Sequence, residues 1–230
     1  MNKISVIIPA YNEFSTIKAV IKRVQQVPIL KEIIVVDDGS TDGTREILES
    51  FNVENVIVAY HDHNMGKGQA IRTALPFVTG DILIIQDADL EYNPEEYARL
   101  IEPIEKSEAK VVYGSRTLGK KFHIASFQNF IFYLGGKTLS MFTNFLYRSN
   151  ITDEPTCYKA FKADVLKSLN LRCKGFEFCP EVTAKILRQG IKIYEVPISC
   201  IPRTIKDGKK IRLKDWFIAV WALVKYRFLR

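Results

Sequence analysis

Short, nearly continuous apolar runs alternate with stretches of helical length through the first half of the chain. The runs fall at 4–8, 32–36, 56–60, 81–85 and 110–113, and the stretches at 13–26, 41–50, 66–78 and 94–105. Runs without polar alternation are expected of strands covered on both faces. Their alternation with helices predicts an α/β fold with a mostly parallel sheet and right-handed crossovers. Such sheets bind ligands beyond the carboxyl ends of their strands. Polar motifs directly after the runs are therefore the ones to weigh.

After Arg116 the pattern changes. Residues 122–147 carry Phe122, Phe127, Phe130, Phe132, Tyr133, Phe142, Phe145 and Tyr147, an aromatic stretch without a clear period. Helices are expected at 162–169 and 180–188 and a strand at 192–200, followed by a basic segment and an apolar helix. No internal repeat and no Gly/Ser/Pro-rich linker marks a domain boundary.

Composition narrows the classes. Hydrophobic residues make up 47% of 230, enough for a sizeable core and too many for a disordered chain. The net charge of +7 points to anionic partners: nucleic acid, phosphorylated small molecules or an anionic membrane surface. Cys157, Cys173, Cys179 and Cys200 form no C-x-x-C, which argues against a structural zinc site and fits reduced, cytosolic thiols. The N-terminus lacks the length and flanks of a signal peptide. The longest strongly apolar run, 216–224, is too short to span a bilayer.

Four motifs follow the runs. Pro9-Ala10-Tyr11-Asn12-Glu13 comes after the first and reads by itself as a turn with Asn12 capping a helix. Asp37-Asp38-Gly39-Ser40-Thr41-Asp42-Gly43-Thr44 comes after the second. Adjacent carboxylates in a cleft are costly unless they meet a cation or ligand, and an Asp there is able to accept from a base or ribose. Asn64-Met65-Gly66-Lys67-Gly68 opens a helix, where backbone N–H groups and Lys67 favour an anionic ligand; it is not a P-loop. Asp87-Ala88-Asp89-Leu90-Glu91 follows the fourth run. Alternate acidic residues can share one divalent cation, and Mg²⁺ typically takes a carboxylate or two plus substrate phosphates.

Together these motifs resemble the inverting family-two glycosyltransferases of the GT-A fold, over nearly the whole chain. Within that family the chain looks like the dolichol- or polyprenyl-phosphate sugar transferases (dolichol-phosphate mannosyltransferase-like). Further matches are Gly114-Ser115-Arg116, Glu181, and Glu195-Val196-Pro197-Ile198 followed by Arg203. The resemblance implies a GT-A-like, Rossmann-like sheet flanked by helices, with interfacial helices at the C-terminal end. It implies a nucleotide-sugar donor, a polyprenyl-phosphate acceptor and Mg²⁺ or Mn²⁺. Pro9, Tyr11, Glu13, Asp38 and Lys67 would line the nucleoside site, and Asp87, Asp89 and Glu91 would hold metal and diphosphate. Arg203 would approach the donor phosphates and Arg116 the acceptor phosphate, with Asp89, Arg116 and Arg203 carrying catalysis. Two departures matter: the third acidic position is often Gln in relatives, and the segment at 207–211 is not the G-x-S-K of mannosyl enzymes. A UDP-sugar is therefore as good a donor candidate as GDP-mannose.

A lipid monophosphate is already anionic and needs no strong general base. His61, His63 and His123 form no triad and read as loop or surface residues. The chain divides into a catalytic unit over 1–212, with a nucleotide-sugar part at 1–116 and an acceptor part at 117–212, and a terminal helix at 213–230. That helix, with its Trp and basic anchors, reads either as core or as an interfacial element holding the enzyme peripherally at the cytoplasmic face, alone or with a membrane-embedded partner protein. Competing readings are a glycolipid, polysaccharide or protein acceptor on the same fold, and a sugar nucleotidyltransferase, whose Gly-rich N-terminal loop is missing. A nucleic-acid binder would account for the charge but not for three acidic motifs at successive strand ends, so no nucleic-acid partner is expected.

Overall fold

The computed structural model describes residues 2–51, 53–119, 127–203, 208 and 210–228, with backbone alone at 127–129. Phe122, His123, Lys206, Lys209 and Arg230 lie outside these residues, as does the Phe127 side chain. Strands β1 (Ile4–Ala10), β2 (Lys31–Asp37), β3 (Val56–Tyr60), β4 (Ile82–Ile85) and β5 (Val111–Ser115) sit where the apolar runs put them. So does β7 (Ile193–Pro197), while β6 (Lys159–Lys162) follows no such run. The sheet order is β3-β2-β1-β4-β6-β5-β7. All pairings are parallel except those of β6, which runs antiparallel between β4 and β5.

Successive strand residues feed two cores. Val6, Ile8, Ile33, Val35, Ile82 and Ile84 face one layer, with α1 (Ile17–Gln26) and α4 (Tyr97–Glu105). Ile7, Ile34, Val36, Leu83 and Ile85 face the other, with α3 (Lys67–Ala74), α6 (Ala163–Ser168) and α7 (Phe178–Arg188). Burial on both faces is why these runs lack polar alternation. In α1 the buried positions are Ile17, Val20, Ile21 and Val24, one stripe of a helix.

Helix starts differ from expectation where loops claim the first residues. The stretch expected as helix from 13 becomes helical only at Ile17. Asn12 adopts φ 48° and does not cap α1; its amide donates to Ser40 Oγ and its side-chain carbonyl accepts from Thr41. Short 3₁₀ turns, Leu75–Phe77 and Pro94–Glu96, occupy the end of one expected helix and the start of another. Helix α2 spans only Thr44–Glu49.

From Phe127 on, the aromatic stretch forms one long helix, α5 (Phe127–Tyr147), which packs with α7 and the terminal helix α8 (Leu213–Phe228). Leu139, Ala184, Ala219 and Leu223 make this third cluster. Trp216 Nε1 donates to the Gly135 carbonyl and Tyr147 OH to that of Leu223. Helix α8 is thus buried on one side and exposed on the other, through Phe217, Trp221 and Phe228. Among the described residues no helix is long and apolar enough to cross a membrane.

Candidate functional site

The carboxyl ends of β1, β2, β3, β4, β5 and β7 open on one edge of the sheet. Because β6 is antiparallel, its amino end, preceded by 153–158, joins them there. The motif residues converge on this edge, and most are already in hydrogen bonds.

Asp87 accepts from Lys67 Nζ, which also donates to Cys157 Sγ at 3.2 Å. Burial works against the charge of both partners, but each holds the other ionised: Lys67 lies well above its usual pKa and Asp87 below its own. Asp89 behaves differently. Burial, and then the charges of Asp87 and Glu91, push its carboxyl up to about 7 against the opposing pull of Arg203.

Arg203 gathers the remaining carboxylates. Its Nη2 lies 2.7 Å from Asp89 and 3.2 Å from Glu13, its Nη1 3.1 Å from Glu13, and its backbone N–H donates to Glu91 at 2.9 Å. Lys210 adds a 2.6 Å bond to Glu13, a bond to the Tyr11 carbonyl, and a position over the Tyr11 ring. Glu13, assigned to the nucleoside from sequence, is directed in this structure at Arg203 and Lys210. Pro9 lies within β1 opposite Val36, one step short of the edge.

The acidic set fits a substrate-bridged divalent cation. Among the described residues four carboxylates, Glu13, Asp87, Asp89 and Glu91, face three cations, Lys67, Arg203 and Lys210. Burial first, and the neighbouring Asp87 and Glu91 charges after it, make an ionised Asp89 costly unless a cation meets it. Among the described residues no three His, Cys, Asp or Glu side chains form a cage of their own. An ion here would therefore rest on one or two of these carboxylates plus substrate oxygens, the usual arrangement for Mg²⁺.

Asp38 is buried and accepts from the Met65 and Gly66 amides, both at 2.8 Å, so it ties the end of β2 to the start of α3. The tie needs Gly66, at φ +97°, where a Cβ would sit 2.4 Å from the Lys174 carbonyl. His61, expected as a loop or surface residue, does lie in a loop but is buried there, with Nδ1 2.7 Å from Asp38 and Nε2 2.9 Å from Thr73 Oγ1. Its placement at the end of β3 carries it inward. His63 is exposed.

Arg116, at the end of β5, is clamped by Asp153: Nε at 2.8 Å, Nη2 at 2.7 Å and the backbone N–H at 2.9 Å. Asp153 is in turn fixed through its amide by Glu195, which also accepts from the Thr152 amide. One edge of the Arg116 fork is thus used inside the protein; among the described residues Nη1 and one Nη2 hydrogen have no hydrogen-bond partner. Glu181 does not reach the site. It accepts from the Arg172 and Cys173 amides and from Lys185, and holds the 172–173 turn.

Sequence reasoning missed Asp153 and Cys157. The only available signal was their place just before Tyr158-Lys159-Ala160-Phe161, a run too short and polar to read as a strand.

The sequence model described as Glycosyl transferase family 2 matches residues 5–169. The undecaprenyl-phosphate mannosyltransferase of Micrococcus luteus is 29% identical, over 90% of this chain and 87% of its own length. The UDP-N-acetylglucosamine–dolichyl-phosphate N-acetylglucosaminyltransferase of Methanococcus voltae is 33% identical, over 86% and 85%. Among solved structures, glucosyl-3-phosphoglycerate synthase of Mycobacterium tuberculosis, in complex with Mn²⁺, UDP and glucosyl-3-phosphoglycerate, aligns with a TM-score of 0.71. It is 20% identical, over 98% of this chain and 78% of that one, a likeness of fold.

Proposed function

The chain belongs to glycosyl transferase family 2 and is a glycosyltransferase, and we propose that it transfers a sugar, with inversion, from a nucleotide-diphosphate donor to a polyprenyl or dolichyl phosphate. One observation carries this reading: a cluster of buried and half-buried carboxylates around Asp87 and Asp89 and an arginine fork at Arg116 share the carboxyl edge of the sheet. The first suits a nucleotide diphosphate with its divalent cation, the second a phosphate acceptor.

The chemistry follows from those groups. An acceptor phosphate oxygen attacks the anomeric carbon from the face opposite the donor diphosphate. The new C–O bond forms as the old one breaks, and the nucleoside diphosphate leaves. Positive charge grows on the sugar and negative charge on the leaving group. Mg²⁺ or Mn²⁺, held by Asp89 with Asp87, would supply charge neutralisation for that leaving group. Arg203, already between Glu13 and Asp89, is placed to turn part of its fork to the donor phosphates. Arg116, anchored by Asp153, offers its remaining N–H groups to the acceptor phosphate. An ionised acceptor has no proton to give up, so the reaction needs neither a histidine base nor a free Glu181.

A lipid acceptor brings the site to a membrane surface. The outward faces of α5 and α8 suit that position: Met141, Phe145, Phe217 and Trp221 are exposed, with Phe145 at 82%, and Lys214 and Arg227 flank them. The reading places the enzyme peripherally at the cytoplasmic face.

A thermal-shift panel of UDP-, GDP- and TDP-sugars with Mg²⁺ or Mn²⁺ tests the donor half. One nucleotide class is expected to raise the melting temperature only with the divalent ion present. A panel without any shift would overturn the reading.

A further inference from the structure

His61 belongs to no motif that the proposed reaction uses, yet it is locked more firmly than any other described histidine. Its backbone N–H continues the sheet by donating to the Asp37 carbonyl at 2.8 Å, and its own carbonyl accepts from Arg45. The ring is 8% exposed and spans from Asp38 on β2 to Thr73 on α3.

The tautomer follows from the partners. A carboxylate only accepts, so Nδ1 carries a hydrogen toward Asp38, while Nε2 pairs with the Thr73 hydroxyl. Asp38 Oδ1 then accepts from His61 and Met65, and Oδ2 from Gly66. Among the described residues Asp38 makes no ion pair with Lys or Arg, so the imidazole is its sole side-chain donor there. A buried carboxylate with too few donors is unstable in its place.

Asp38 in turn holds the two amides that precede Lys67, and Lys67 meets Asp87. The connected series is Thr73, His61, Asp38, the Met65–Gly66 backbone, Lys67 and Asp87. We propose that His61 is a positioning residue of the donor site: by orienting Asp38 it sets the start of α3 and Lys67 for the nucleotide diphosphate. The inference rests on the donor reading given above, and it recasts Asp38 as a clamp with at most one acceptor position left for the nucleoside.

Two isomeric amides test it, by calorimetric titration of UDP and GDP in the presence of Mn²⁺. In His61→Asn the side-chain amide falls where Nδ1 was and restores a donor to Asp38. In His61→Gln it falls where Nε2 was and does not. His61→Asn is expected to bind within about threefold of the native protein, and His61→Gln about tenfold or more weaker, the scale of losing an outer partner of a binding group. His61→Gln should melt somewhat lower, and both titrations are run well below either melting temperature, so that the comparison reads binding and not unfolding. Equal affinities for the two variants would overturn the inference while leaving the donor reading intact. Native protein that bound neither nucleotide would overturn both. If the His61 variants fail to fold, Thr73→Val carries the test: it frees Nε2 alone and should weaken nucleotide binding by about two- to fivefold, and unchanged affinity would count against His61.

Discussion

Asp89 is the residue on which the donor site turns. It sits beside Asp87 and Glu91, is buried, and has a carboxyl pushed up to about 7. Asp89→Asn should remove transfer by about a hundredfold or more, the scale of losing one group that stabilises a charged leaving group, while the melting temperature stays close to native. Turnover and thermal unfolding measured on one preparation check this, and retained turnover that still needs a divalent ion would move the cation elsewhere. Arg116 belongs to the other substrate. With one edge of its fork held by Asp153, Arg116→Ala should raise the KM for polyprenyl phosphate by about tenfold or more and the KM for the donor much less; steady-state kinetics in both substrates decide it. Asp89 was legible in the sequence because its acidic motif follows an apolar run at the carboxyl end, and Arg116 through the Gly114-Ser115-Arg116 match to the family. Asp153, Cys157 and His61 were not: their contacts come from strand β6 and from the inward turn after β3, which long-range pairing sets and local pattern does not.

The elements divide along the same line. β1, β2, β4 and β5 announce themselves because burial on both faces demands unbroken apolar residues, and the edge strand β3, only half-buried, shows by its β-branched run. β6, Lys-Ala-Phe-Lys, has two charged ends, and its place inside the sheet, between β4 and β5, depends on neighbours distant in sequence. α5 hid its helical period because aromatic residues occupy both its packed and its open faces. The opposite edge of the sheet holds a structural device, Glu32 on β2. It accepts from Ser5, from the Thr79 amide and hydroxyl, and from Lys3, and so joins β1, β2 and the turn before β4. Burial alone would raise its pKa, but Lys3, Ser5 and Thr79 outweigh it and bring the value down from 4.5 to about 2. A folded-state value below the unfolded one adds stability above pH 4.5 that is lost as the pH falls toward 2. Glu32→Gln should therefore cost on the order of 2 kcal/mol near neutral pH. Its denaturant-unfolding stability should fall less steeply than the native protein's over that acid range.

The whole molecule presents a charged sheet edge and, beyond α7, an apolar face made by α5 and α8. The sequence drew attention to both segments but left core and interface open for the terminal helix; the structure packs one side of α8 and exposes the other. Lipid tails leave a bilayer at a cost of about 0.8 kcal/mol per CH₂, so an enzyme for a lipid phosphate must come to the surface. Basic residues near an anionic leaflet contribute about 1 kcal/mol each. The protein should co-sediment with anionic liposomes at low salt and release partly at high salt, and Phe145→Glu with Trp221→Glu should weaken that binding without changing nucleotide affinity. Failure to co-sediment would shift anchoring to a membrane-embedded partner. The central claim is transfer to a lipid phosphate, and the most direct measurement is sugar transfer from the donor selected by thermal shift, with Mn²⁺, to polyprenyl phosphate, diacylglycerol and an oligosaccharide side by side. The account predicts a lipid-phosphate-linked sugar of inverted anomeric configuration with polyprenyl phosphate and little product with the others; transfer to diacylglycerol or the oligosaccharide, with polyprenyl phosphate unused, would contradict it.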